Sequence, residues 1–369
     1  MKGKISAEKC VLTCVWILCS FFGWSCRHGD SADSGNAPRF TRVFNWGIPA
    51  NEEIIRKYAQ AGVTDIRVFN RKQLDLVVKY GMTPYAGITF SPAGPHFQVM
   101  SPEEQAYNDY IRGADLDAKM PGSEKKRIIE RRKAEKGNRF GGESDAHPDT
   151  LAYPIRCFIS DKDLVLTKRK LDNLLEKAVP GVKGVFMDFI GYVNFHGCRC
   201  SSCLDAYKAY IREHRLPDNE AARNRFYLEK LIEYYNAAID YVKSKRPDFK
   251  IAVHCYPDFR PEHLLGNRTK ADFCGQTVAW YFRWPDEKIA AYTRYVVRHA
   301  KDYFPHVEGV PFLGLCTRKD TILADKTPED VERELQIILA AGGRTLMVCD
   351  GDAMIKPGFF EVFRKYCGK

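Results

Sequence analysis

From residue 41 onward, short apolar runs alternate with longer stretches in which apolar positions recur every three or four residues. A short run without a polar face is the pattern of a strand buried on both sides, and the wider spacing is that of a helix with one buried stripe. Thr41–Trp46 is followed by a helical stretch over Glu52–Ala61, and Asp65–Phe69 by one over Arg71–Tyr80. Thr83–Ile88 opens a third unit, whose helix, Asp161–Ala178, is delayed by an insertion over about residues 90–154. Lys183–Asp188 reads as a fourth strand, with helical stretches Ser202–His214 and Asn219–Lys245 behind it. Ile251–Cys255, Ala271–Trp280, Pro311–Cys316 and Thr345–Cys349 supply four more strands. Eight strands with helices between them predict an α/β fold, a (β/α)8 TIM barrel with a long insertion after the third strand. An open doubly wound sheet usually needs fewer strands and often a glycine-rich phosphate turn after the first, which this chain lacks.

In such a barrel the chemistry sits where strands end and the following loops begin. That rule gathers Asn45, Trp46, Asn70, Asp188, His254, Asp258, Trp280, Tyr281, Thr317, Asp350 and Asp352 at one mouth. Trp46, Tyr192, Trp280, Tyr281 and Trp284 are candidate apolar platforms for a ligand, with Asn45 and His254 as polar groups beside them to fix its orientation.

Composition adds a compartment. The 369 residues are 45% apolar and 12% aromatic, enough for one large core. Lys2 and Lys4 precede an apolar stretch from Cys10 to Trp24, which ends at Ser25-Cys26 and gives way to the polar run His28–Asn36. This predicts an export signal over residues 1–26 and a flexible tether over 27–38, leaving 39–369 for the barrel domain. The small Ser25 before Cys26 fits a lipoprotein signal with Cys26 lipidated, while simple secretion and a retained anchor are the alternatives. The expected location is the periplasm, the membrane surface as a lipoprotein, or the medium, with membrane contact only through a lipid on Cys26.

The net charge of +10 is concentrated: Lys119–Arg139 holds nine Lys or Arg against three Glu. Nucleic-acid binding asks for basic residues interleaved with exposed aromatics, or a known module, and neither occurs, so nucleic acid is not an expected partner. A solvated helix accounts for the run, and a patch for an anionic ligand is the alternative.

Thirteen cysteines include Cys10, Cys14 and Cys19 in the apolar stretch of the signal. Cys255, Cys274, Cys316 and Cys349 fall in strand-like runs and read as small buried hydrophobes. Cys198-Arg-Cys200-Ser-Ser-Cys203 is different: C-x-C-x-x-C spacing brings three sulfurs within reach of one ion, and a fourth ligand would complete the tetrahedral shell of structural zinc. Disulfide pairing competes with this reading outside the cytoplasm, and reversible redox chemistry is a third.

Upstream of that cluster stand Tyr153-Pro-Ile-Arg-Cys157-Phe-Ile-Ser-Asp161 and Gly184-Val-Phe-Met-Asp188. In order and interval these stretches resemble the family 42 glycoside hydrolases, clan A β-galactosidases with a cysteine entering the third helix, an acid/base residue ending the fourth strand, and C-x-C-x-x-C after it. The resemblance covers about residues 153–212, and elsewhere only the barrel architecture. It implies sugar chemistry, and it implies that Cys157 is the fourth zinc ligand beside Cys198, Cys200 and Cys203. Two departures stand out. The Asn-Glu pair that ends the family's fourth strand is Met187-Asp188 here, and the strand ending in Cys316 has no glutamate where the family keeps its nucleophile.

Glycoside cleavage uses two carboxyl groups, about 5 Å apart for retention or about 6.5–9.5 Å for inversion. Asp188, flanked by Val185-Phe-Met and Phe189-Ile, is the expected general acid, its apolar setting favouring the protonated form. Asp350, after the eighth strand, is the expected second group; strands four and eight face each other, which favours the wider spacing of inversion. Asp258 and Asp352 are reserves, whereas Glu308 precedes its strand and lies at the wrong end. The leading expectation is thus an exported glycoside hydrolase acting on a poly- or oligosaccharide, neutral or anionic, with structural zinc and no organic cofactor. A non-catalytic carbohydrate-binding barrel and a cysteine-based redox or metal-handling protein are the alternatives.

Overall fold

The computed structural model describes residues 38–89, 96–99, 106, 113, 116–117, 119–136, 152–155, 157–188, 197–255, 268–279, 284–299, 301–315 and 326–368. The expected signal with Cys26, the tether up to residue 37, most of the insertion, Tyr192, Asp258, Trp280, Tyr281, Cys316 and Thr317 lie outside them. The chain divides into residues 1–37 and a compact unit, Pro38–Lys369.

Within that unit eight parallel strands close a barrel in chain order: Arg42–Asn45, Asp65–Arg67, Thr83–Thr89, Gly184–Asp188, Lys250–Cys255, Phe273–Ala279, Glu308–Gly314 and Thr345–Cys349, the first paired with the last. The seventh begins three residues before the expected Pro311. Proline usually opens a strand because it cannot donate, yet here Pro311 sits inside the strand, opposite Gln276. Inside the insertion His96–Val99 and Ala152–Ile155 form an antiparallel ribbon, which the hydrophobic pattern did not anticipate, and Gly122–Lys136 is the expected basic helix.

Local chemistry fixes where helices begin. Asn51, Asn70 and Asn219 each accept a hydrogen bond from the backbone N–H three residues on, and Thr327 forms a capping box with Asp330 ahead of Pro328. The helix Pro328–Ala340 is further tied to the barrel by a wholly buried ion pair, Lys326 Nζ to Glu334 Oε2 at 2.7 Å, with Lys326 also donating to the Gly314 carbonyl at 2.9 Å.

The barrel interior is layered. At the amino-terminal end Arg42 pairs with Asp65 through bonds of 2.6 and 2.9 Å and lies over the Phe44 and Phe273 rings. Phe44 contacts Tyr85, Phe186 and Phe273 with centroids 4.9–6.0 Å apart. Towards the carboxy-terminal mouth Trp46 stacks on Phe186 at 4.5 Å and meets Phe312 edge-on at 5.5 Å. Side chains therefore fill the barrel up to the floor of the mouth, where the polar groups begin.

Candidate active site at the barrel mouth and the adjacent cysteine cluster

Asp188 is the last residue of the fourth strand and only 5% exposed. Its Oδ1 lies 2.8 Å from His254 Nδ1, on the fifth strand, and His254 Nε2 lies 3.1 Å from Thr277 Oγ1, on the sixth. The sixth strand bulges between Thr277 and Ala279, and such a bulge re-aims the side chains next to it. The His254 ring lies flat on Phe312, with centroids 3.5 Å apart, and meets the edge of Trp46. Asp188 and His254, both anticipated, are thus joined in one buried unit, whereas Thr277 was not foreseen because a threonine inside a strand reads as packing.

The lip beside this unit is built by the ends of strands one and two. Trp46 is 5% exposed, and its indole Nε1 is buried with no hydrogen-bond partner among the described residues. Its carbonyl accepts from Arg67 Nη2 at 2.6 Å. Arg67 crosses the sheet over Gly87, where a Cβ would collide with its side-chain carbons. It makes no ion pair with a described residue. Burial pulls its pKa below the ordinary arginine value, against the negative field of Asp188, Cys349 and Asp352. Phe69 follows, its ring centroid 5.9 Å from the Arg67 guanidinium carbon and 53% exposed. Its backbone N–H donates to Gln73 Oε1 at 2.7 Å, while Gln73 N–H donates to the Asn70 cap at 2.9 Å, so a helix cap holds the ring in solvent. Arg67 and Phe69 were also not anticipated as site residues.

The remaining candidates divide. Asn45 is fully buried: its Oδ1 accepts from Gly47 N–H and its Nδ2 faces the Gly351 carbonyl at 3.4 Å, so it joins the first and eighth loops. Asp352 does the same from the other side, accepting from Ile48 N–H at 3.1 Å and from the Tyr58 hydroxyl, whose pKa is pushed up by burial and then by this contact. Asp350 is half-buried after the eighth strand, in the left-handed region with φ 53°, and its carbonyl accepts from Ala353 N–H at 2.8 Å. Glu308 opens the seventh strand at the opposite end, where it accepts from the Thr345 hydroxyl.

Behind the mouth the sulfurs of Cys157, Cys198, Cys200 and Cys203 all lie within 4.8 Å of one another. Cys157 Sγ is 3.3 Å from Cys203 Sγ and 3.9 Å from Cys200 Sγ, well beyond the ~2.05 Å of a disulfide and near the ~3.8 Å edge of a tetrahedron with ~2.3 Å metal–sulfur bonds. Contacts with Cys198 and Cys203 draw the Cys157 thiol well below its ordinary value and push those two partners up, since neighbouring thiols cannot all ionise without a counter-charge. The helix Glu220–Lys245 supports the cluster: Tyr227 donates to the Cys198 carbonyl, and Tyr234 donates to the Asp163 carbonyl at 2.9 Å, while Asp163 Oδ2 accepts from Cys157 N–H at 3.2 Å. Tyr235 on the same helix donates to the His254 carbonyl at 3.3 Å. One helix therefore backs both the cluster and the Asp188–His254 unit.

No protein-family model and no curated protein matches this sequence. Solved structures do match. A β-galactosidase from the Antarctic haloarchaeon Halorubrum lacusprofundi aligns over 90% of this chain and 57% of its own, with 12% identity and a TM-score of 0.53. A β-galactosidase from Rahnella sp. R3 gives 11% identity and a TM-score of 0.50 over 90% of this chain and 56% of its own. The PgaB (BpsB) glycoside hydrolase domain from Bordetella bronchiseptica gives 11% and 0.50, over 90% of this chain and 99% of that domain. The chain thus spans little more than half the length of the two β-galactosidases. At such identities the likeness speaks for architecture alone: the fold is a (β/α)8 TIM barrel, shared with glycoside hydrolases.

Proposed function

We propose that the chain is a glycoside hydrolase acting on an oligo- or polysaccharide at the barrel mouth, with Asp188 as the protonating group and Asp350 as the second carboxylate. The observation that carries this reading is the position of Asp188: it is buried at the end of the fourth strand, held by His254, and beside a lip that offers an exposed ring and a guanidinium with no ion pair among the described residues. Strands four and eight face each other across the closed barrel, which favours inversion. The glycosidase neighbours support the class, and the likeness of residues 153–212 supports kinship with family 42 in particular. The seventh strand, which ends in Gly314 and is followed by Leu315, favours a second reading, a barrel that binds glycans without cleaving them. A hydrolysis screen on the intact protein and Asp188→Asn separates the two. Cleavage by the first and none by the folded variant supports the enzyme; binding without product from either supports the second.

In this reading Cys157, Cys198, Cys200 and Cys203 hold one structural zinc, which lends rigidity to the loops and takes no part in the reaction. Metal analysis of the purified protein should give about one zinc per chain, lost in Cys157→Ser. The basic helix Gly122–Lys136 favours an acidic glycan; equal binding of neutral and acidic oligosaccharides would discard that detail. Residues 1–26 support export, with Cys26 as the candidate lipidation site, and cell fractionation with Cys26→Ala tests it.

A further inference from the structure

The hydroxyl of Thr277 has one proton and two acceptors in reach, and the distances decide between them. Its Oγ1 lies 3.1 Å from His254 Nε2 and 3.4 Å from the Cys255 carbonyl. Both are hydrogen-bonding separations, but the second is long for an O–H···O bond and the weaker of the two, so the proton is assigned to the shorter contact, with Nε2. A nitrogen that accepts carries no hydrogen. The neutral ring therefore bears its hydrogen on Nδ1 and donates it to Asp188 Oδ1 at 2.8 Å. Packing prevents the two nitrogens from changing places, because the ring is 1% exposed and held against Phe312 and Trp46.

We propose that Thr277 and His254 are positioning residues for Asp188: Thr277 selects the Nδ1–H form of His254, and His254 keeps Oδ1 as an acceptor, so the proton transferred in catalysis is carried on Oδ2. This rests on the glycoside hydrolase reading for the fate of that proton, though not for the state of the ring. In the acid step the Oδ2–H bond breaks and the proton passes to the leaving glycosidic oxygen. The carboxylate that remains is stabilised by the same Nδ1–H, and His254 gains and loses nothing. The arrangement inverts the familiar relation in which a carboxylate fixes a catalytic imidazole. Among the described residues, other ionisable groups in the field of Asp188 are Arg67 on the second strand, Tyr235 on the supporting helix and Cys255 on the fifth strand. Burial drives Tyr235 and Cys255 toward their neutral forms, which leaves Arg67 as the charged one of the three.

Nitrogen-15 NMR of the full chain labelled at histidine, with the His254 signals identified by their loss in His254→Asn, reads the ring directly. The expected spectrum near neutral pH has a protonated Nδ1 and a bare Nε2. Thr277→Val, close in volume, should relax that preference and lower kcat about tenfold with KM nearly unchanged, the size of effect expected when a general acid is misaligned. Thr277→Ser should restore both. A wild-type ring protonated on Nε2 alone overturns the proposal, as does a folded Thr277→Val whose nitrogen signals stay in place. Should Thr277→Val fail to fold, the wild-type spectrum decides alone. If the wild type cleaves no glycoside, the spectrum still decides the ring's state, and the failure falls on the proposed reaction.

Discussion

Phe69 is held in solvent by a helix cap beside an arginine that has no carboxylate partner among the described residues, at the end of a barrel where ligands bind. In the glycoside hydrolase reading proposed above, an aromatic ring so presented serves as a platform for the apolar face of a pyranose. Phe69→Ala should therefore raise KM about five- to tenfold, the equivalent of about 1 kcal/mol of stacking, with melting temperature and kcat little changed. A titration with oligosaccharide checks this, and equal affinity of variant and wild type would assign the ring to another role. The sequence made Asp188 and His254 legible because strand ends select the mouth. It hid Arg67 and Phe69, because an arginine and an exposed phenylalanine at the end of a short strand have no periodicity to mark them. Asn45 was legible as a mouth residue, but alternation sends it away from Phe44 and Trp46, to the loop contacts of Gly47 and Gly351.

Among the elements, the eight barrel strands were readable from apolar runs alone, since each is covered by helices on one side and by the interior on the other. The ribbon of His96–Val99 and Ala152–Ile155 was not, because a short antiparallel edge tolerates proline and needs no continuous apolar run. Nor did the sequence announce the Lys326–Glu334 pair, whose partners lie eight residues apart across a helix start. Both side chains are wholly buried, and burial depresses the lysine and raises the glutamate from their ordinary values. Removing one partner strands the other charge. Lys326→Met should therefore cost about 3–5 kcal/mol in a denaturation experiment, and adding Glu334→Leu should recover most of the loss, because a buried pair is worth little over an apolar replacement. A single variant as stable as wild type would mean that the remaining charge finds water or a new partner.

For the barrel unit as a whole, the connection that matters runs through the helix Glu220–Lys245. Its tyrosines hold the Cys198 carbonyl, the Asp163 carbonyl beside Cys157, and the His254 carbonyl. The cysteine cluster and the Asp188 unit thus rest on one rigid support, and Cys157 joins the segment after the insertion to the loop after the fourth strand. If the cluster holds the proposed zinc, its loss should act on both. Four thiols gathered within 4.8 Å repel as they ionise, so a chelator should loosen residues 197–203 first, lower the melting temperature by roughly 2 °C for each kcal/mol lost, and reduce the proposed hydrolysis. Hydrogen exchange measured before and after chelation distinguishes this from a merely local effect. If faster exchange stays within residues 197–203 and does not reach the fifth strand, the helix does not couple the two sites. If it extends along Glu220–Lys245 to Lys250–Cys255, the proposed metal steadies the Asp188–His254 unit from behind.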